Sequence, residues 1–501
     1  MTNRSSSPQC FLSLACAIIV LCIALASTAS AQTLNNLFVF ESTHGAMPQA
    51  ALIQATDGNF YGTTARGGLQ NSGTVFRMTP DGSLTTIYSF CSQTGCTDGK
   101  WPSAALLQGQ DGNFYGTTTS GGDIAGGWGT VFKIASDGTF TSLHRFLLTD
   151  GVSPRGALVQ GSDGSFYGTT YEGGVNNSCP AVSPWACGTI FKITSDGTFT
   201  TLYNFCSLSN CADGANPVGG LLLAKDGNFY GTTYTGGSST ACSGPSGCGT
   251  VFQFTPGGTL TTLHSFCSES NCTDGMFPNA ALIQGADGNL YGTAQEGGAR
   301  VGTVFKITPS GRLTTLYTFC SQTGCVDGGE PGTALVQGKD KNFYGTTNED
   351  GAHGQGGTVF KLSPSGQFTT LYSFCARGVF PNCRDGEFPN ALVQGRDGNF
   401  YGTAQGRSLV RCTNYCGTIF RFGTHVALQP SSGPVGQKIV IIGLNLTGAT
   451  IVRFNGVPAT FVPVSATKLR ATVPNGAKSG SVKVTTPGGV LTSTVPFTVT
   501  P

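Results

Sequence analysis

Seven copies of one pattern leave this chain few folds to choose from. A Tyr-Gly step recurs at Tyr61, Tyr115, Tyr167, Tyr230, Tyr291, Tyr344 and Tyr401, and a Gly-Thr step at Gly73, Gly129, Gly188, Gly249, Gly302, Gly357 and Gly417. The copies stand 52 to 63 residues apart, which marks a repeat architecture.

Each copy contains four segments rich in β-branched and aromatic residues, lettered a to d. Segment a is an Ala-Leu-Val-Gln run such as Ala391 to Gln394, b is Asn-Phe-Tyr-Gly-Thr at Asn399 to Thr403, c is Gly417 to Phe422, and d is Thr369 to Phe374. Asp-Gly between a and b, and Asp-Gly or Ser-Gly between c and d, are hairpin signals because glycine takes the positive φ such turns need. No stretch has apolar residues at helical spacing with caps. Four-stranded meanders in tandem predict a seven-bladed β-propeller over residues 32–423, a β-solenoid being the alternative. Leu34 to Phe40 resembles a d segment without a repeat, while the seventh copy ends at Phe422 without its own d. Pairing the two completes the last blade, closes the ring and removes an exposed strand edge.

The meander places the a–b and c–d turns at one end of each blade and the longer, more variable b–c and d–a loops at the other. The chain has 19 cysteines, of which 16 fall in those longer loops as close pairs: Cys91/Cys96, Cys179/Cys187, Cys206/Cys211, Cys242/Cys248, Cys267/Cys272, Cys320/Cys325, Cys375/Cys383 and Cys412/Cys416. Local pairs in an exported chain predict disulfides, and no histidine sits beside them to suggest a metal. Export is read from the N-terminus: Arg4, the apolar stretch Phe11 to Ala26 and the small residues Ala29-Ser30-Ala31 predict a signal peptide over 1–31, with an uncleaved anchor as the alternative. No later stretch is long and apolar enough to span a bilayer. Charged residues make up 10% of the chain and the net charge is +2, which argues against nucleic acid as a partner.

The long-loop face carries the candidate site. Trp101, Trp128 and Trp185, with Tyr171, Tyr234 and Tyr415, are expected either to form a platform for sugars or to cover their own loops. Asp98, Asp150, Asp213, Asp274, Asp327 and Asp385 recur before segment a, with His44 in the first copy. They would ring the channel mouth, where Ca²⁺ could find oxygen ligands, or each would set a local turn; recurrence in every copy favours the turn. Gln54, Gln108, Gln160, Gln284, Gln337 and Gln394 are expected to bond between blades, with Leu223 in the fourth copy. No cofactor is expected, and no catalytic motif stands out.

After Phe422 the pattern changes to short strands with turn signals, an immunoglobulin-like sandwich over 424–501. Ser432 to Gly436, Ile441 to Leu446, Val452 to Gly456, Val473-Pro474 and Val484 to Gly489 resemble an IPT/TIG domain. That resemblance implies a spacer or binding module and no catalysis. The repeats, through Gly302 to Ile307 and Asp111 to Thr118, resemble the GloVer type of tandem repeat of bacterial surface proteins described as having a choice of anchor. No hydrophobic tail precedes Pro501, so a C-terminal sorting segment is not expected. The combined expectation is a secreted or cell-surface monomer that binds a glycan or protein without catalysis. The alternative is a propeller hydrolase or lyase acting on polysaccharide.

Overall fold

The computed structural model describes residues 33–501, apart from 124–126, 177–186, 243–246, 299–300, 379, 381–382, 407–415, 424, 444–445, 447, 466–467, 487–488 and 494. The segment expected to be a signal peptide, Cys179, Trp185, Cys412 and Tyr415 therefore lie outside the described residues. The chain divides into a compact unit Thr33–Ala427 and a second containing Leu428–Pro501.

The first unit is a seven-bladed β-propeller. Blade 1 pairs Ile53–Gln54, Phe60–Thr64, Thr74–Met78 and Leu84–Ser89 in that order, and the next five blades repeat the meander. The seventh combines Val393–Gln394, Phe400–Gly406 and Cys416–Gly423 with the first strand of the chain, Thr33–Val39. Leu34 lies opposite Phe422 and Val39 opposite Thr418, antiparallel. The first strand thus finishes the last blade, as the unpaired segment predicts.

The repeated residues explain one another. Each motif tyrosine sends its ring into the gap between blades and its hydroxyl back to the Asp of its own a–b turn. Tyr61 donates to Asp57 at 2.9 Å and stacks on Phe114 of the next blade at 4.1 Å. Tyr401 donates to Asp397 at 2.8 Å and meets Phe60 of blade 1 at 4.1 Å. Such pairs contribute about 0.5–1.5 kcal/mol beyond burial. The glycine after the tyrosine is required by close approach: a Cβ on Gly62 would come within 2.6 Å of the Phe76 ring, which fills that space from strand c.

The first Thr of Tyr-Gly-Thr-Thr crosses to the next blade. Thr63 donates to the Ala104 carbonyl at 3.1 Å, and Thr403 to that of Ala50 at 3.0 Å, across the ring closure. The second Thr shares a buried hydrogen bond with the first Thr of strand c, as in Thr64–Thr74 and Thr118–Thr130 at 2.8 Å. Gln108 accepts from the Thr56 N–H of the preceding blade at 2.9 Å, the inter-blade role expected for the recurring glutamines.

The second unit forms a β-rich fold in which strands alternate buried and exposed residues, as in Ile451–Phe454 and Val482–Thr486. Ile439, Ile441, Val452, Phe454, Leu469, Val482, Val484 and Phe497 fill its core. Gly489–Ser493 is a strand the sequence patterning did not single out, since its Pro-Gly-Gly start reads as a turn.

Candidate functional site

A cavity of about 800 Å³ opens on the channel axis at the face of the b–c and d–a loops. Its floor is built where each chain segment enters strand a, from small residues such as Ala50-Ala51, Ala104-Ala105, Gly156-Ala157, Gly219-Gly220 and Ala280-Ala281. An adjoining cavity of about 440 Å³ shares Met47, Gly332, Thr333, Asn390 and Gln405 with it.

The mouth is shaped by an X-Pro step at the entry to every blade, a feature that sequence reading passed over. X is Met47, Trp101, Ser153, Asn216, Phe277, Glu330 or Phe388, and all seven have φ between +50° and +61°. A residue before proline ordinarily favours extended backbone, so each step holds strain of about 1–3 kcal/mol. Two contacts hold it in place. The N–H of X donates to the preceding blade, as in Trp101 to the Ser72 carbonyl at 2.8 Å, and Met47 to the Cys416 carbonyl at 3.3 Å across the closure. The proline packs on the glycine that opens the neighbouring strand c, where a Cβ on Gly73 would strike Pro102 and one on Gly417 would strike Pro48. The scaffold is thus fixed sevenfold, while the X side chains all differ from blade to blade apart from the Phe at two of them.

Charged side chains stand near these steps, Glu172 lining the cavity on the same side as two arginines. Around blades 1 to 3 stand Arg66, Lys100, Trp101 and Arg155. The Arg66 guanidinium lies 4.3 Å from the Trp101 ring centroid, and that of Arg155 3.8 Å from the Tyr171 ring. Lys100 is 5.0 Å from Trp101. Around blades 5 and 6, Asn279 donates to Gln295 at 2.9 Å and Gln295 to Glu330 at 3.1 Å. Burial, reinforced by the Glu330 charge, holds Glu296 above the usual carboxylate range, and Glu349 and Asp350 are raised in the same way.

Of the expected aromatic platform, Trp101 and Trp128 line the cavity. Trp101 and Tyr171 each lie against a cationic side chain, and Tyr234 stacks on Phe277 at 5.1 Å. Trp185 and Tyr415 lie outside the described residues.

The acidic ring at the channel mouth gives way to six local turns. Asp98, Asp213, Asp274, Asp327 and Asp385 are fully buried, and neither they nor Asp150 line the cavity. Asp98 accepts from the Tyr88 hydroxyl at 2.8 Å and from the N–H and hydroxyl of Ser92 at 3.0 Å. Asp213 and Asp327 do the same with Tyr203 and Tyr317, Asp385 with Tyr372, and Asp274 and Asp150 with His264 and His144. The carboxylates are consumed by hydrogen bonds that fold the d–a loop.

The cysteine pairs Cys91–Cys96, Cys206–Cys211, Cys242–Cys248, Cys267–Cys272, Cys320–Cys325 and Cys375–Cys383 are bridged. Cys187 and Cys416 are also disulfide-bonded, and their expected partners lie outside the described residues. The sulfurs of Cys187, Cys206 and Cys211 lie within 4.8 Å of one another, as do those of Cys242, Cys248 and Cys267. Bridged sulfurs are not thiolate ligands, so these groups are packed disulfides. Among the described residues no helix is long and apolar enough to cross a membrane.

The Gloeobacter/Verrucomicrobia repeat matches residues 25–242 and 183–384, overlapping spans that run through most of the ring. The chain belongs to that repeat family. An IPT/TIG domain matches residues 425–499 of this Gloeobacter/Verrucomicrobia repeat protein. No curated protein matches the chain. Solved structures similar to this repeat-family member include the extracellular domain of a hybrid two-component system from B. thetaiotaomicron, at 10% identity and TM-score 0.47, covering 92% of this chain and 58% of that one. A gluconolactonase from Xanthomonas campestris is similar at 14% identity and TM-score 0.35, covering 64% and 88%. A Dyadobacter fermentans protein of unknown function is similar at 9% identity and TM-score 0.39, covering 78% and 98%.

Proposed function

We propose that the protein is an exported, non-enzymatic binding protein whose ligand, a glycan or a protein outside the cell, is held at the mouth of the channel. One observation carries this reading. Seven copies of a rigid X-Pro step stand around the channel mouth; Met47, Trp101 and Ser153 line the central cavity and Met47, Glu330 and Phe388 the adjoining one, and these side chains vary while the residues that build the step are repeated. Positions that serve only the fold have the same requirement in every blade. A wall that differs from blade to blade suits a ligand without sevenfold symmetry. Function concentrated in loops on a rigid scaffold is the common arrangement. The disulfides among the described residues are consistent with an oxidising, extracellular setting.

A glycan-array screen followed by titration of Trp128→Ala tests the reading. Binding that weakens at least tenfold in the variant supports it. Full binding by the variant, or no ligand on the array or among secreted proteins, counts against it.

A polysaccharide hydrolase or lyase is the second reading. Its support is the pair Glu330 and Glu349, which both line the adjoining cavity. A pair of carboxyl groups facing one cavity is what glycosidic chemistry uses. Release of reducing ends or unsaturated products from a bound polysaccharide would decide for this reading.

A further inference from the structure

Two other arginines of the ring are occupied by the fold. Arg396 donates to the Ala55 and Thr56 carbonyls, and Arg377 to that of Leu34, so both serve the fold. Arg66 and Arg155 differ. Both line the central cavity, and neither guanidinium has a hydrogen-bond or carboxylate partner among the described residues. Each instead rests on an aromatic ring, 4.3 Å from Trp101 and 3.8 Å from Tyr171. Stacking fixes the plane of a guanidinium while leaving its N–H edge available, and that edge matches a carboxylate with two parallel hydrogen bonds. Ser103, Thr119 and Ser120 line the surrounding wall together with Met47, Trp128 and Val152, above the alanine and glycine floor. Hydroxyl-bearing side chains beside the Trp101 and Trp128 rings suit the hydroxyls and apolar ring faces of a saccharide.

From this we infer that the ligand is a carboxylate-bearing saccharide, its acid groups taken by Arg66 and Arg155. The inference rests on the binding reading above and adds the chemistry of the ligand. The opposite wall supports an orientation. Glu330 and Glu349 line the adjoining cavity on the side of blade 6, which repels a carboxylate and leaves neutral sugar units there. Glu172 also lines the cavity, beside the Tyr171 ring that carries Arg155, so the arginine side holds one competing charge.

The test is calorimetric titration of the full chain with trigalacturonate and with its methyl ester, which has the same rings and hydroxyls without the charge. The acid is expected to bind, with the ester at least tenfold weaker. Arg66→Gln and Arg155→Gln should each weaken the acid about tenfold or more and leave the ester unchanged. Arg66→Lys, which keeps the charge and loses the fork, should recover only part of the affinity, and thermal melting of all three variants should match the parent. Equal binding of acid and ester overturns the inference while leaving a glycan-binding function in place. Unaltered acid binding by both glutamine variants, or no acid binding by the parent, also overturns it. An array on which no glycan binds, together with no ligand among secreted proteins, would overturn the function itself.

Discussion

Gln54 accepts a hydrogen bond at 2.8 Å from the backbone N–H of Arg396, 342 residues further along the chain and next to it in the ring. The same glutamine donates to the Gly58 carbonyl at 2.9 Å. Gln108 makes the equivalent pair of bonds at the blade 1–2 seam, to the Thr56 N–H and the Gly112 carbonyl. The seam joining the two ends of the chain is therefore built like an internal one. Gln54→Ala and Gln108→Ala are expected to cost the same, about 1 kcal/mol each, in denaturant unfolding. A negligible cost at Gln54 alone would mean an open seam.

Two blades lack a partner that the others have. Ala294 and Ala404 replace the second threonine of the motif, and among the described residues Thr303 Oγ1 and Thr418 Oγ1 are buried without a hydrogen-bond partner. Ala294→Thr and Ala404→Thr should supply it, each stabilising the ring by about 0.5–1.5 kcal/mol. Unfolding midpoints of the single and double variants check this. The two sites lie in different blades, so the gains should add.

Asp98 is a structural residue on this account. Asp98→Ala leaves the Tyr88 hydroxyl and the Ser92 N–H without their acceptor and should cost about 1–3 kcal/mol. Ca²⁺ and a chelator should leave the melting temperature of the parent unchanged. A rise with Ca²⁺ that Asp98→Ala abolishes would restore the cation reading of these aspartates.

Stability should fall in acid. Burial alone would raise the turn carboxylates, but hydrogen bonds from the neighbouring Asn and Tyr hold Asp57, Asp111, Asp226 and Asp287 below their ordinary value. For Asp163 the added Lys192 ammonium, 2.8 Å away, brings it down to about 2. A carboxyl with a lower pKa folded than unfolded contributes stability above its unfolded value, near 4, and loses it as pH falls through the folded value. Denaturant midpoints should hold from pH 7 to about 5 and decline between about 4 and 2. A flat profile across that range would contradict the hydrogen bonds drawn to these turns.

The ring was legible because its residues have one purpose each. Asp-Gly sets a turn, Tyr and Phe fill the gap between blades, and the extra segment at Leu34 had a vacancy to fill after Phe422. The site was less so. Recurring aspartates look like ligands in a sequence, and only the placement of Tyr88 and Ser92 shows that Asp98 is fully used. Trp101 reads as a bare platform until Arg66, 35 positions earlier, is seen over its ring. The seven X-Pro steps were present in the sequence as a recurrent pattern, but the left-handed backbone at X is set by packing on the neighbouring blade's glycine, which a single repeat does not contain.

Hydrogen exchange at the backbone of Thr33–Val39 tests the closed ring most directly. These amides are expected to exchange as slowly as those of their partner strand Cys416–Gly423, both opening only when the whole propeller unfolds. Exchange of the first strand at the rate of a free peptide, with the rest of the ring still protected, would contradict it.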